Sequence, residues 1–414
     1  MTPPRVSVVM CVYNAMPFLD LAVESILQQT WSDLELIAVD DGSVDESWDR
    51  LVDFANRDSR IILLRNTENE GFARSSNTVL RRALGDFVAL QDADDLSTPT
   101  RLHEQVKFLS EHPDVGVVGT WPQFIDVHGA VIEDSGFLEL ADPKDLQENM
   151  PFTYCFCSGT SMIRRPLLEQ VGGYDPEMEW GEDTDLELRL SEVTQLANLP
   201  RRLYLYRQHA ASTSTRHRCA QMYLRALAVE RSFSRRCGQG VPESLAGRLA
   251  EKYLKTALLA EGEGDRDLAA RSATAAFRMA PGIARRGRIV EKVFERYLSM
   301  YPPEDPFATV ARVFRDLLPD TLHLARSRQH LLADPHVAAA FRARAAGDRS
   351  GVAAHLLSGV RGRPTWLFNR GVWSLGLQAL GLPFGRRSRW ITPEAAVGAR
   401  GEGQSPRASD RANS

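Results

Sequence analysis

The stretch Phe87-Val88-Ala89-Leu90-Gln91-Asp92-Ala93-Asp94-Asp95 decides how the chain is read. Its first four residues are apolar or small, as in a short buried strand. Three carboxylates then fall within four positions. Such a cluster repels itself, so a positive group must sit among them. A divalent cation with oxygen ligands suits the place, and Mg²⁺ keeps open positions for substrate phosphates. In open α/β sheets, ligands bind just beyond the carboxyl ends of strands, where this cluster falls. An isolated D-x-D reads equally well as a solvated acidic turn that caps the next helix, so the flanking sequence has to decide.

Upstream, Val6 to Tyr13 is a nearly continuous apolar run, the mark of a strand buried on both faces. Pro17 opens a helix running to about Gln29, with Phe18, Leu21, Ala22, Ser25 and Ile26 at helical spacing. Leu34 to Val39 is a second strand ending in Asp40-Asp41-Gly42-Ser43. A helix over 45–56 and a strand over 61–64 follow, then Asn69-Glu70-Gly71 and a helix through Leu84 with Gly85 as its C-cap. This β-α-β-α-β-α-β pattern predicts a doubly wound parallel sheet.

Three strand ends therefore deliver chemistry to one edge: Tyr13-Asn14, Asp40-Asp41 and Asp92 to Asp95. Asp41 can accept from the N–H of a nucleobase, or serve as a turn residue before Gly42. Tyr13 can pack on a base face, or close the core at the strand end. No G-x-G-x-x-G and no G-x-x-x-x-G-K-[ST] follows the first strand, so phosphate is not cradled there on backbone N–H groups. A phosphatase D-x-D nucleophile follows the first strand of its domain, whereas Asp92-Ala93-Asp94 follows the fourth.

With Val8 to Asn14, Val39-Asp40-Asp41-Gly42-Ser43, Asn69-Glu70-Gly71 with Asn77, and Asp92-Ala93-Asp94-Asp95 in this order, the chain resembles the family 2 inverting glycosyltransferases of GT-A fold. The resemblance covers about the first 215 residues. It implies a nucleotide-diphosphate sugar donor, a UDP-sugar above all, with Tyr13, Asn14, Asp41, Asn77, Asp92 and Asp94 around it. Asp41 would recognise the base, Asp92 lie near the ribose, and Asp94 hold a divalent metal, Mg or Mn. Ser75-Ser76 stand before Asn77 where the family often has Ala-Arg.

Beyond the acidic cluster, Ser97-Thr98-Pro99 starts a helix to about Glu111, Val115 to Gly119 is a strand, and 121–131 reads as strand-turn-strand. The polar segment 133–150 is a plausible acceptor-side insertion, and Phe156 to Ile163 reads as a strand. Glu182-Asp183 open a helix rich in leucine, where the macrodipole favours carboxylates and keeps them ionised. Helix capping and a general base on a rigid helix both explain the pair. The family places its catalytic Asp in such a pair, which matches Asp183, with Glu182 in support. Trp180 is a stacking surface for an acceptor sugar or a packed lid residue. Tyr206-Arg207-Gln208-His209 and Ser212 to Ser214 resemble a signature ending this catalytic domain. By that resemblance His209 completes the metal shell or contacts diphosphate, and Arg207 helps with phosphate.

The predicted domains are 1–216, a GT-A catalytic domain; 217–395, an α-helical extension; and 396–414, a disordered tail poor in large apolar residues. Gly264-Asp265 to Pro281 and Gly347-Asp348 to Pro364 share an interval of 17, suggesting two tetratricopeptide-like hairpins. Phe368, Val372, Trp373, Leu375, Leu377 and Leu380, with Arg386, Arg387 and Arg389 beyond, read as a core helix or as a basic amphipathic contact with a membrane surface. The fold class is thus α/β, a Rossmann-like, mostly parallel sheet flanked by helices, followed by an α-helical region. A net charge of −4 in 414 residues argues against nucleic acid as a partner. No signal peptide or spanning helix is read, and the odd total of five cysteines fits buried thiols in a reducing cytosol. The expected location is cytoplasmic, with peripheral contact at the inner face of the cell membrane. The expected activity is sugar transfer to a saccharide or lipid-linked acceptor in polysaccharide or glycoconjugate synthesis. The alternative is a non-catalytic nucleotide-sugar-binding scaffold acting through its helices.

Overall fold

The computed structural model describes residues 5–133, 136–238, 240–281, 292–293, 295, 305–317, 328–369, 372 and 375–376. The tail expected over 396–414 lies outside them, as do Trp373, Leu377, Leu380, Arg386, Arg387 and Arg389. Strands β1 (Val6–Val12), β2 (Leu34–Asp40), β3 (Ile61–Arg65) and β4 (Phe87–Leu90) pair in parallel, in the order β3-β2-β1-β4. Helices α1 (Leu19–Leu27), α2 (Ser47–Arg57) and α3 (Phe72–Leu80) connect them. Val8, Met10, Leu36 and Ala38 are fully buried with Leu19, Val23 and Ile26 of α1 and Leu51 of α2. Each fully buried large aliphatic side chain stabilises the fold by roughly 1.5–3 kcal/mol. That burial holds the acidic strand ends at one edge.

The second half of the sheet is mixed. It is built from β5 (Leu96–Ser97), β6 (Val115–Ile125), β7 (Met162–Arg164) and β8 (Gln195–Arg207). The full order is β3-β2-β1-β4-β7-β6-β8-β5, with β7 antiparallel to both β4 and β6, and β8 parallel to β6. Helices α4 (Arg101–Glu111), α5 (Pro143–Asn149), α6 (Arg165–Val171) and α7 (Glu182–Val193) accompany these strands. Because β8 runs back through the sheet, it brings Tyr204, Arg207 and the following His209 to the acidic loop after β4.

Several boundaries differ from the sequence reading. Helix α1 begins at Leu19, beyond Pro17. Helix α3 ends at Leu80, and Gly85 is not its cap. A Cβ at Gly85 would lie 2.6 Å from the Ser7 backbone nitrogen, so this glycine permits the close pass of the chain beside β1. The strand expected over Phe156 to Ile163 is reduced to β7, with a 3-10 turn over Ser158–Thr160 before it. The second strand expected near Val131 is a single bridge to Ile125.

The chain divides into two compact units, Met1–Tyr253 and Leu254–Ser414. After the short helix α8 (Thr213–Arg216), helix α9 (Arg218–Cys237) packs on α7, with Ser232 and Arg235 both bonded to Glu192. The first unit therefore runs past residue 216, and helix α10 (Glu243–Glu263) crosses the division. In the second unit, Gly264 and Gly347 take left-handed φ of 84° and 78°. Asp265 and Asp348 then cap the helices Arg266–Met279 and Arg349–Gly362. Val372 and Leu375 are buried against Val337, Ala340, Val352 and Leu356, as a core element would be, while Phe368 is exposed. Among the described residues no helix is long and apolar enough to cross a membrane.

Candidate active site

At the end of β1, Tyr13 is 49% exposed and Asn14 takes a left-handed φ of 48°. Asn14 Oδ1 accepts from Val44 N (2.9 Å), and its own N–H donates to Ser43 Oγ (3.0 Å). Asn14 thus fastens the loop after β2 to the end of β1. Asp41 was expected to face a nucleobase, but it is 2% exposed and bonded within the protein. Its Oδ1 accepts from Asn66 Nδ2 (2.7 Å) and Glu70 N (2.9 Å), and its Oδ2 from Gly71 N (3.1 Å). Asn77, also expected at the donor, uses both ends of its amide on the backbone of Tyr174, each at 2.9 Å. Asp41 and Asn77 therefore shape the walls of the site, and Tyr13 is left as an open aromatic face.

The acidic loop is held from behind. Asp92 N donates to Tyr204 Oη (3.1 Å), which lies 3.3 Å from Asp92 Oδ2. A Cβ at Gly159 would stand 2.4 Å from the same oxygen, so only glycine leaves room for that carboxylate. Burial, then Asp94 and Asp183, push the Asp92 carboxyl up to about 7. Asp95, nearly inaccessible, accepts from Arg207 N (2.6 Å), and burial raises it well above the carboxylate range. Arg207 itself donates to the carbonyls of Asp94 and Asp126 and covers Phe18. It is a buried strap between loops through its Nε and Nη1 groups.

A buried cation that the sequence reading missed, Arg101, lies behind the cluster and acts on Asp92 and Asp95 through space. It is fully buried. Its guanidinium donates to Gln105, Gln91, Ser97 and the carbonyls of Leu90 and Gly159. It also lies over the Tyr204 ring at 4.9 Å. Burial lowers its pKa to about 10, still leaving it charged at neutral pH. Nothing in local periodicity marks this arginine, because its partners come from three separate segments.

Asp94 Oδ2 and His209 Nε2 lie 2.9 Å apart at the opening of the site, with the Asp94 side chain 31% exposed. Among the described residues no three or more His, Cys, Asp or Glu side chains form a closed metal cage. One carboxylate and one imidazole, partly open to solvent, fit a hard cation whose remaining positions are filled by water and substrate oxygens.

Glu182 and Asp183 stand at the start of α7, after Gly181. The macrodipole was expected to keep them ionised; burial prevails instead. It pushes Glu182, which Asp183 also repels, up to about 8, and it raises Asp183 against the opposing Ser158 and Tyr174 hydroxyls and Arg225. Asp185 is paired with Arg189 at 2.7 Å. Trp180, with φ 72°, stacks flat on His217 at 4.3 Å. Asp183 and Asp92 line one small, partly open pocket, together with Cys11, Ser76, Tyr174 and Gly159. Cys155 and Cys157 are buried thiols outside any strand, and burial raises both.

The profile described as glycosyl transferase family 2 matches residues 7–172. The putative glycosyltransferase EpsE of Bacillus subtilis (strain 168) is 38% identical over 212 residues, 50% of this chain and 73% of that protein. The chain belongs to glycosyltransferase family 2. Another relative, the O-antigen biosynthesis glycosyltransferase WbnJ of Escherichia coli, is 29% identical over 237 residues, 55% of this chain and 91% of that one. Among solved structures, S. aureus TarS 1-349 in complex with UDP-GlcNAc aligns over 86% of this chain and 91% of its own, at 16% identity and a TM-score of 0.47. Asp183 lies outside the matched span, 183 − 172 = 11 residues beyond its end, on α7.

Proposed function

We propose that this family 2 chain is an inverting, metal-dependent glycosyltransferase. It takes a nucleotide-diphosphate sugar, a UDP-sugar in our reading, and glycosylates a saccharide or lipid-linked hydroxyl during polysaccharide or glycoconjugate synthesis. It would work in the cytoplasm, in peripheral contact with the inner face of the membrane. The observation that supports this best is that Asp92, from the strand-end cluster, and Asp183, from a distant helix, line the same cavity.

In this reading Tyr13 packs on the base, and Asp41 holds the loop 66–71 that walls it. Asp92 anchors the ribose, and Asp94 with His209 would hold Mg²⁺ or Mn²⁺. When bound, the cation offsets charge on the departing diphosphate. Asp183 takes the proton of the acceptor hydroxyl as that oxygen bonds to the anomeric carbon and the bond to the diphosphate breaks. A single base and a single displacement invert the anomeric centre, by analogy with the carboxylate logic of glycosidases. Glu182, neutral at pH 7 by its shift to about 8, does not compete as base. The test is a thermal-shift screen of nucleotide sugars with and without Mg²⁺ or Mn²⁺, followed by single-turnover transfer. Binding of donors without transfer to any saccharide or lipid-linked hydroxyl would leave the scaffold alternative standing.

A further inference from the structure

Tyr204 commits its hydroxyl to one residue. It is fully buried on β8, with the Arg101 guanidinium over its ring at 4.9 Å. Its oxygen accepts from Asp92 N at 3.1 Å, and its single proton goes to Asp92 Oδ2 at 3.3 Å. Asp95, the other carboxylate near this hydroxyl, is met instead by Arg207 N at 2.6 Å. The 3-10 turn Ser158–Thr160 closes in on the same atoms. A Cβ on Gly159 would stand 2.4 Å from Asp92 Oδ2 and 2.7 Å from Tyr204 Oη. Asp92 Oδ2 is therefore held by the tyrosine and crowded by the glycine, which fixes the rotation of the carboxylate. Oδ1 receives no hydrogen bond among the described residues, and Asp92 lines the pocket that Asp183 also lines.

We propose that Tyr204 is a positioning residue that makes Asp92 a one-oxygen reader of the donor's ribose: Oδ1 takes one hydroxyl, and Oδ2, held by Tyr204, takes none. The proposal rests on the reading of Asp92 at the ribose. A free carboxylate has two oxygens and can accept from both hydroxyls of a cis-diol at once. Here only one oxygen is left for the sugar, so the site is selective at a single ribose position. A nucleotide lacking that hydroxyl leaves a carboxylate oxygen unmet in a partly buried site, which is the costly case. A nucleotide lacking the other hydroxyl loses nothing at Asp92. The position read therefore sets the class of donor. Reading at the 2′ position rejects sugars carried on deoxyribonucleoside diphosphates, and reading at the 3′ position admits them.

Calorimetry on the full chain in Mg²⁺ compares UDP with its 2′-deoxy and 3′-deoxy forms, and GDP with its own. In the base series that binds, one deoxy compound should bind roughly 10–100-fold more weakly than the parent, the loss of a hydrogen bond to a charged group. The other should bind within about threefold of the parent. Tyr204→Phe keeps the ring beneath Arg101 and removes only the hydroxyl. It frees Oδ2, so the two deoxy compounds should come to differ by less than about threefold. A Tyr204 that only supported the loop would weaken all three compounds alike and leave their ratios unchanged. If Tyr204→Phe fails to fold, Gly159→Ala, which drives a methyl against Oδ2, carries the same comparison. Equal binding of all three compounds by wild type removes Asp92 from the ribose and the proposal with it, as does binding of neither base series. Equal losses for the two deoxy compounds, or a wild-type difference that survives both substitutions, overturn the proposal and leave Asp92 at the ribose.

Discussion

His209 Nε2 lies 2.9 Å from Asp94 Oδ2, across 115 residues of sequence, at the opening of the site. A carboxylate and an imidazole, both side-chain types able to ligate a cation, converge there, and the His209 ring is steadied against Phe18 at 5.0 Å. In Mg²⁺, Asp94→Asn should bind nucleoside diphosphate only as well as wild type does in EDTA. His209→Ala should weaken binding roughly 10–100-fold, as loss of a group that orients a metal ligand does. Calorimetry with and without chelator checks both. Equal wild-type affinity with and without metal would remove the cation from the reading.

Asp183→Asn keeps the shape of the side chain but removes the basic oxygen. Transfer should fall by roughly 10²–10⁴-fold. Donor affinity should stay nearly constant, because the expected metal and base contacts lie on other elements. Single-turnover rates measured beside donor titrations distinguish this from a binding defect. Asp185 is no substitute, being committed to Arg189.

Glu182 makes the ligand-free protein sensitive to pH. Its carboxyl is raised from 4.5 to about 8 by burial and Asp183. Between those values the folded form holds more protons than the unfolded form, so stability falls as pH rises through the window and levels off above it. Thermal unfolding in EDTA should therefore give a lower Tm at pH 8 than at pH 5. Glu182→Gln should shrink that difference while sparing most transfer activity. A Tm that climbs from pH 5 to pH 8 would contradict the assignment.

Arg101→Met should be among the most damaging substitutions in the catalytic unit. It removes the buried cation beneath the acidic loop and strands the carbonyls of Leu90 and Gly159. A loss of about 3–5 kcal/mol is expected. Arg101→Lys restores charge without the fork. It should recover part of the stability and less of the donor affinity, since Tyr204 and Asp92 lose their backing. Melting curves and nucleotide titrations on both variants check this. A stable, fully binding Arg101→Met would show that the loop supports itself.

The parallel half of the sheet was legible because β1 and β2 are buried on both faces and written as continuous apolar runs. The acidic loop was legible because chemistry at a strand end has a position as well as a composition. Burial was not legible. Asp41 and Asn77 look like ligands in sequence, yet they bond to backbone brought close only by folding. Arg101 and Tyr204 read as a helix residue and a strand residue, and their role arises where β8 returns beside β4. The extent of the first unit was misjudged for a similar reason. A change from strands to helices marks residue 216, but packing of α9 on α7 carries the unit to Tyr253.

That packing divides inheritance within the catalytic unit. The loops expected to wall the donor are bonded to one another within residues 14–75 and, through Asn77, to Tyr174, whereas α7, which carries the proposed base, leans on α9. On the proposed reading, mutation in α9 should alter the surroundings of Asp183 while the loops that follow β1 and β2 keep their mutual bonds. If Asp183 is the base, exchanging residues 213–253 between relatives should change the acceptor used and leave the donor preference in place.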